Sequence, residues 1–322
     1  GRAEYKPCIG CYVMNPAKYI ELLEGVKRLL GRDKDELVFI GVADTAEYWW
    51  CAQKSVFSNR EMELDYFMVF LDDVIKYALE LGHLEPSRRL GGEELGREVE
   101  RILEEITAER LMELRDKITL DDVNYLLKKR REERGGEGPC IDPLELPKGL
   151  SAEDALEIAH IVESLPSEES LPKVLEKIRR LSPRAQGEIL EQCFAERYAT
   201  IRWNFPWREY VAVGVPDGMT EEFVYEFKAT AYPIAMKRVA FAQADIYGYF
   251  FKRPEKRVQI LDRRAGEVYT YHEPVDVDNA LETLEGFRAV EKGEREPKPP
   301  RGWKCRSCEY KEECPVYARG RG

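Results

Sequence analysis

The sequence predicts a mixed α/β fold, in which a central sheet is flanked by helices. Three observations lead to this fold class. Predicted helices and strands alternate after residue 183, the first half of the chain has mainly helical spacing of its apolar residues, and 43% of the 322 residues are hydrophobic, which is ample for a core. The predicted divisions are a helical N-terminal region at 1–104, a helical insertion at 105–182, a mixed α/β core at 183–295 and a cysteine-rich C-terminal segment at 296–322.

Composition narrows the class of protein. No apolar run approaches the ~20 residues that cross a membrane, and the first residues, GRAEYKPCIGC, lack the apolar part of a signal peptide. We therefore expect a soluble, cytoplasmic protein with no membrane partner. Charged residues make up 34% of the chain and there are only three His, which is typical of a heat-adapted source. The net charge of −11 argues against a general nucleic-acid coating protein but not against a nuclease, whose metal ions offset active-site carboxylates.

The N-terminal region is predicted to be helical. Apolar residues recur at helical spacing over Asn15–Arg32 and again over Glu61–Leu81, and a short apolar run lies between them at Leu37–Val42. Gly91 and Gly92 interrupt the pattern, and a further helix is predicted over Glu93–Leu114.

The helical insertion contains a stretch rich in Gly and Pro at Gly135–Leu150, which reads as a linker. Two helices are predicted after it, over Ser151–Glu163 and Leu171–Leu181, and Ser151 begins a plausible capping sequence.

The core begins with a helix over Pro183–Tyr198 that leads directly into a strand at Ala199–Phe205. The next stretch, Val211–Thr230, reads as a hairpin, because alternating valines are followed by Pro-Asp-Gly and then by a second strand-like run. The remaining predicted elements are a helix over Ala235–Phe251, a strand pair at Arg257–Leu261 and Glu267–Tyr271, and a closing helix over Val275–Val290.

The predicted hairpin carries three residues suited to metal-assisted phosphodiester cleavage. Glu226 and Lys228 are two apart in a strand, so their side chains point to the same face, and Asp217 lies at the preceding turn. Asp217 and Glu226 can share a divalent cation, and Lys228 can position the attacking water or help to deprotonate it. Taken alone, a Glu-x-Lys pair is common, and the simpler interpretation is a half-buried hairpin whose charges face solvent.

The C-terminal segment contains three closely spaced cysteines. Cys305, Cys308 and Cys314 lie within ten residues, so one compact turn can direct three thiolates to one point. An all-sulfur ligand set suits an iron–sulfur cluster or zinc, and three cysteines ahead of a proline favour iron–sulfur. A fourth ligand must come from elsewhere in the chain, and the candidates are Cys51, Cys8, Cys11, Cys140 and Cys193. Disulfides are the alternative use of these cysteines.

In this order along the chain, these motifs resemble the RecB-like branch of the PD-(D/E)XK nucleases, in particular the CRISPR-associated nucleases that carry a cysteine cluster. AddB-type and flap-processing helicase–nucleases share the same cysteine clamp. The resemblance covers residues 44–100 and 183–316. The residues that match are Gly214-Val215-Pro216-Asp217 for G-x-x-D, Glu226-Phe227-Lys228 for E-x-K, Gln243 and Tyr247 for the Q-x-x-x-Y helix, Cys305, Cys308 and Cys314 for the cluster, and the segment around Cys51 for its first ligand.

The resemblance implies a restriction-endonuclease-like core that holds Mg²⁺ or Mn²⁺, and a [4Fe-4S] cluster bound by Cys51 and the three C-terminal cysteines. It also implies that Gln243 and Tyr247 lie near the DNA or Lys228; packing of one helix face is the simpler interpretation of this pair. The expected partner is DNA, single-stranded or end-containing, with CRISPR or repair proteins as further candidates.

Two departures from the family pattern are visible. The family has a metal-ligating His four residues after a Gly on its first core helix, whereas both segments with that spacing here end in Glu, at Glu100 and Glu191. A Glu can ligate magnesium, so the third metal ligand is narrowed to these two residues. The second departure is the long helical insertion, which is a candidate for binding a partner.

The sequence therefore predicts a Mg²⁺- or Mn²⁺-dependent deoxyribonuclease with a structural iron–sulfur cluster. One alternative is a non-catalytic DNA-binding or scaffold subunit that keeps the cluster. A second is an iron–sulfur or zinc protein that has no role with nucleic acid.

Overall fold

The structure of the protein is a computed structural model. It describes residues 16–84, 101–133, 140–141, 146–306 and 308–319. The helices are α1 (Pro16–Leu29), α2 (Val42–Ala46), a 3₁₀ turn (Glu47–Trp49), α3 (Ala52–Glu80), α4 (Ala108–Lys117), α5 (Leu120–Glu133), α6 (Ala152–Ser164), α7 (Ser167–Ile178), α8 (Pro183–Phe194), α9 (Pro233–Phe251), α10 (Val277–Glu291), α11 (Gly302–Arg306) and α12 (Pro315–Arg319). The strands are β1 (Phe39–Gly41), β2 (Trp203–Trp207), β3 (Tyr210–Gly214), β4 (Gly218–Met219), β5 (Phe223–Thr230), β6 (Glu255–Asp262) and β7 (Glu267–Pro274).

The fold is mixed α/β, as the order of elements predicts. The chain forms two compact units, each assembled from separated stretches of sequence. The first takes the described residues of Gly1–Lys128, Ile201–Val215 and Gly286–Gly322, and the second takes those of Lys129–Thr200 and Pro216–Glu285.

A three-stranded sheet lies in the first unit. Its order is β1-β3-β2, with β1 parallel and β2 antiparallel to β3. Helix α3 packs against β1, and the ring of Phe39 lies 5.2 Å from that of Phe67 and 5.0 Å from that of Phe70. These aromatic contacts fix the long helix on the sheet.

A four-stranded sheet lies in the second unit, in the order β4-β5-β6-β7. Strand β5 pairs parallel with β6, and α9, which connects them in sequence, packs against both strands. Tyr225 and Phe227 of β5 join one apolar cluster with Ile189 and Leu190 of α8. Because side chains alternate along a strand, Glu226 points away from this cluster.

Most predicted elements have counterparts in the structure, but three predictions are wrong. Helix α8 ends at Phe194 and β2 begins only at Trp203, so the helix does not lead directly into the strand. Val211–Thr230 is not one hairpin, because β3 pairs with β1 and β2 while β5 pairs with β4 and β6 in a different sheet. The continuous helix predicted to end at Leu114 is interrupted. Residues 101–105 are helical, and α4 begins after Thr107, whose side chain accepts a hydrogen bond from the Arg110 N–H and so caps a new helix.

Cys140 and Cys193 form a disulfide, with their Cα atoms 4.8 Å apart. The bond joins the end of α8 to a point that precedes it by 53 residues in sequence. Both cysteines are therefore occupied, and neither is the fourth ligand of a cluster. The alternative reading of the cysteines as disulfide partners holds for this pair.

No helix within the described ranges is both long enough and apolar enough to cross a membrane.

Asp245 is the centre of a buried polar network in the second unit. The residue has no exposed surface, and its carboxylate accepts hydrogen bonds from Lys256 Nζ at 2.6 Å, the Asp276 N–H at 2.8 Å and Asn279 Nδ2 at 2.7 Å. The network ties α9 to β6 and to the start of α10.

We expect Asp245→Ala to lower the free energy of unfolding by about 3–5 kcal/mol, because it leaves Lys256 as a buried, unpaired charge. Urea denaturation measures the change. The double variant Asp245→Leu/Lys256→Met is the control and should lose less than the single variant, because it removes both charges together. A single variant as stable as the wild type would contradict this account of the network.

Candidate functional site

Four of the predicted site residues meet in the second unit. Glu226 and Lys228 come from β5, Asp217 from the turn before β4, and Glu191 from α8. The carboxylate of Glu226 is fully buried, and Lys228 Nζ lies 2.6 Å from its Oε1. Asp217 and Glu191 are close enough for their charges to act on the pKa values of this pair. Of the two candidate third ligands, Glu191 lies near this pair, and Glu100 lies outside the described residues.

The Asp217 turn is held against the centre of β5. Asp217 Oδ2 accepts a hydrogen bond of 2.7 Å from the Phe227 N–H, between the two site residues of the strand. The next residue, Gly218, pairs with Tyr225, and a Cβ added at Gly218 would lie 2.5 Å from the Cβ of Tyr198. Only glycine fits this approach, which explains the Asp-Gly sequence at the turn.

The electrostatics of the cluster are dominated by desolvation of its carboxylates, and repulsion between their charges adds to this effect. Desolvation, followed by the charge of Asp217, raises the pKa of Glu226 well above its usual value, although Lys228 opposes the shift. Desolvation also raises the pKa of Asp217. The side chain of Glu191 is exposed to solvent. Partial desolvation, followed by the negative charge of Asp217, nevertheless raises its pKa to about 7. The cluster therefore holds protons at neutral pH more strongly than isolated carboxylates do.

Lys228 is a cation in this environment. Desolvation lowers its pKa, but the charges of Glu226 and then Asp217 outweigh that effect, and the net pKa is raised. The ammonium group is therefore a hydrogen-bond donor, able to orient a water molecule or an anionic oxygen. Of the two roles predicted for Lys228, its charge favours positioning over deprotonation. Its side chain is 28% exposed, so it is accessible to a ligand from solvent.

The donor set of the cluster is chemically suited to a hard divalent cation, which prefers oxygen ligands. Neither carboxylate oxygen of Glu226 has a hydrogen bond of normal geometry within the described residues, despite the short distance to Lys228. A buried carboxylate in this state lacks the donors that usually stabilise it. However, no set of three or more His, Cys, Asp or Glu side chains in the described part of the chain is already arranged to hold a metal ion.

Gln243 and Tyr247 are buried on α9, the helix that packs against β5. Their spacing of four residues places them on the same side of the helix. The ring of Tyr247 lies 6.4 Å from that of Phe251. The predicted role of this pair beside DNA or Lys228 stays a prediction.

A polar network that motif analysis missed holds the segment after α8. Arg257 donates through Nε to Glu196 Oε2 at 2.6 Å and through Nη2 to Oε1 at 2.5 Å, and Gln259 Nε2 donates to the same carboxylate at 3.1 Å. Tyr225 donates to Gln259 Oε1 at 2.6 Å. The signal in the sequence is the alternation of Arg257 and Gln259 along β6, which places two polar side chains on one face.

The four cysteines implied by the family resemblance line one cavity of about 250 Å³ in the first unit. Cys51 is the N-terminal capping residue of α3, Cys305 lies in α11, and Cys314 immediately precedes α12. Desolvation raises the pKa of the Cys51 thiol, and Cys314 and Cys308 add to the shift. Desolvation and the same two cysteines raise the pKa of Cys305.

The C-terminal segment is fixed beside α3 by aromatic and polar contacts. The rings of Trp50 and Trp303 lie 5.5 Å apart, and those of Phe57 and Tyr310 also lie 5.5 Å apart. Lys304 Nζ donates to the Trp50 carbonyl at 3.1 Å. These contacts hold the C-terminal segment against the residues at the start of α3, so both parts of the cavity wall lie side by side. Cys8 and Cys11 lie outside the described residues.

Comparison with known proteins adds little to this geometry. The chain matches no protein-family model, and no curated protein is similar to it. One solved structure, described as the crystal structure of SSO0001, is 19% identical in sequence and covers 60% of this chain and 96% of its own, with a TM-score of 0.31. A likeness at this level carries no argument about fold or function.

The raised pKa of Glu191 predicts how stability depends on pH without added metal. Because the folded state holds this proton up to about pH 7 and the unfolded state releases it near the ordinary value of 4.5, stability falls as pH rises through that window. We expect Glu191→Gln to be more stable than the wild type at pH 8 by about 1 kcal/mol, a figure reduced for the exposure of Glu191, and to match it near pH 4.5.

Urea denaturation at the two pH values measures this difference. The matched control is Glu163→Gln, which changes an exposed glutamate on α6 and should leave the pH dependence of the wild type intact. If Glu191→Gln were no more stable than the wild type at pH 8, Glu191 would not belong to the carboxylate cluster.

Proposed function

We propose that this chain is a Mg²⁺- or Mn²⁺-dependent deoxyribonuclease with a restriction-endonuclease-like core of the PD-(D/E)XK type. The observation that carries the proposal is the buried Glu226 carboxylate, whose oxygens have no hydrogen bond of normal geometry in the described residues and which adjoins two further carboxylates and a lysine. A carboxylate that is buried for structural reasons alone usually accepts several hydrogen bonds, whereas Glu226 has one close cation, Lys228 at 2.6 Å, and two carboxylates beside it. A metal-dependent hydrolytic site needs this combination of oxygen ligands and a nearby cation.

The residues have distinct roles in this proposal. Asp217, Glu226 and Glu191 hold the divalent cation. When bound, that cation supplies Lewis acidity and lowers the pKa of a coordinated water. The Lys228 ammonium donates a hydrogen bond that orients the attacking water or a phosphate oxygen, and its charge offsets part of the negative charge that develops there. The Phe227 N–H fixes the Asp217 carboxylate, so its ligand oxygen is preorganised.

We also propose that the cavity lined by Cys51, Cys305, Cys308 and Cys314 holds a structural [4Fe-4S] cluster. Four cysteine sulfurs are the usual ligands of such a cluster, and these four line one cavity between the start of α3 and the C-terminal segment. A metal held there joins residues separated by more than 250 positions in sequence. That linkage fits a role in stabilising the unit.

Cleavage of labelled DNA tests the nuclease proposal. We expect the wild type to cut DNA when Mg²⁺ or Mn²⁺ is added, and Lys228→Ala and Glu226→Gln each to lower the rate by at least about 100-fold, because each removes an interaction with the reacting groups. Glu163→Gln is the matched surface control and should retain the wild-type rate. No cleavage by the wild type in either metal would refute the enzyme and leave a non-catalytic DNA-binding or scaffold subunit, which DNA binding without cleavage would support.

Metal analysis tests the cluster proposal independently of activity. Protein purified without oxygen should be brown and contain about four iron atoms per chain. Cys51→Ala should lose this iron, whereas Cys8→Ala should retain it, because Cys8 is not one of the proposed ligands. Zinc in place of iron, or iron retained by Cys51→Ala, would contradict the assignment.

A further inference from the structure

An exposed aromatic and basic patch lies where β5 ends and β6 turns towards β7. Tyr232 follows β5 by two residues and is 41% exposed, and Ile234, in the first turn of α9, is 92% exposed. The guanidinium carbon of Arg264 lies 4.6 Å from the centre of the Tyr232 ring.

Hydrogen bonds fix the patch in place. The Arg263 N–H donates to the Thr230 carbonyl at 2.9 Å, which joins the ends of β5 and β6. The Arg264 N–H donates to Asp262 Oδ1 at 2.8 Å, which sets the turn that carries the guanidinium. The Tyr232 N–H donates to Thr230 Oγ1 at 3.0 Å. The aromatic ring and its arginine are therefore presented by ordered backbone.

The patch lies close in the chain to the residues of the carboxylate cluster. Lys228 precedes Tyr232 by four residues, which is at most about 14 Å of extended chain. Arg263 Nη1 donates to Gln186 Oε1 at 2.8 Å, and Gln186 lies on α8, the helix that carries Glu191. A strand bound at the carboxylate cluster would thus reach the patch within a few nucleotides.

We propose that Tyr232, Ile234 and Arg264 form a subsite for an unpaired base of a single-stranded nucleic acid. This inference rests on the proposed nuclease function, and its new content is the place where an unpaired base of the expected single strand is held. The Tyr232 ring stacks on the base, Arg264 and Arg263 neutralise the adjacent phosphates, and Ile234 packs against the base or its sugar.

The chemistry of the patch selects this ligand. Aromatic rings beside guanidinium groups bind unpaired bases without strong sequence preference, since every base has a π-face. In a duplex both faces of an internal base are already stacked, so Tyr232 has no base to contact there. The Arg264 guanidinium beside the ring, together with the neighbouring Arg263, gives the positive charge that an anionic strand requires, in a chain whose net charge is −11.

Fluorescence anisotropy with labelled oligothymidylate and with a duplex tests this subsite, in EDTA so that no cleavage occurs. We expect Tyr232→Ala to weaken binding of the single strand about tenfold and to change duplex binding much less, while Tyr232→Phe stays within about twofold of the wild type because it keeps the ring. Tyr125→Ala is the matched control, because Tyr125 is a 62% exposed tyrosine on α5. It should bind both ligands as the wild type does.

Abasic scanning locates the base. A series of oligothymidylates is made, each of which lacks one base at a different position. We expect one member of the series to bind the wild type more weakly than the others do. The same oligonucleotide should bind Tyr232→Ala no more weakly than the intact one, because the stacking ring is already absent. Equal thermal stability of the variants excludes misfolding as the cause. Single-strand binding that is the same in Tyr232→Ala and the wild type overturns the subsite. An equal loss in Tyr232→Phe overturns it as well, because the hydroxyl group and not the ring would then carry the binding.

The two proposals fail in different ways. A wild type that cleaves DNA, with Tyr232→Ala unchanged in single-strand binding, refutes the subsite alone. A wild type that binds single strands through Tyr232 but does not cleave them in Mg²⁺ or Mn²⁺ refutes the nuclease and supports the subsite.

Discussion

The burial of Glu226 is the constraint on which the chemistry of the second unit depends. A carboxylate without exposed surface is unstable as an anion unless a cation or several donors accompany it. Lys228 supplies one positive charge, but Asp217 and Glu191 add negative charge to the same neighbourhood. When ionised, the three carboxylates therefore carry more negative charge than the one lysine neutralises. Bound protons or a cation from solution stabilise the cluster.

The surrounding fold tolerates this concentration of charge because its backbone is held independently. The Asp217 turn is tied to β5 through the Phe227 N–H. The close approach of Gly218 to Tyr198 places that turn without help from the carboxylates. The bidentate pair of Arg257 and Glu196 fixes the chain after α8. The approach of Gly218 to Tyr198 and the pair of Arg257 and Glu196 are thus independent of the charge on the cluster, whereas the bond from Phe227 is made to the Asp217 carboxylate itself.

Sequence patterns predicted the features that depend on residues close together in the chain. The periodicity of apolar residues located α1, α9 and the β6–β7 pair, and the Glu-x-Lys spacing identified two side chains on one face of β5. The prediction of a hairpin was wrong because the turn residues Pro216-Asp217-Gly218 suit a connection between two sheets as well as a hairpin turn. Strand partners depend on contacts distant in sequence, as with β1 and β3, and no local pattern encodes them. The proximity of Glu191 to Glu226 and Lys228 likewise becomes visible only in the tertiary structure.

The disulfide between Cys140 and Cys193 encloses α6, α7 and most of α8 in a covalent ring. A protease that cuts once anywhere inside this ring leaves two pieces that still migrate together until a reductant is added. Fragment patterns from limited proteolysis would therefore differ between reduced and unreduced gels. An intact band on an unreduced gel is no proof of an unbroken chain in this part of the molecule.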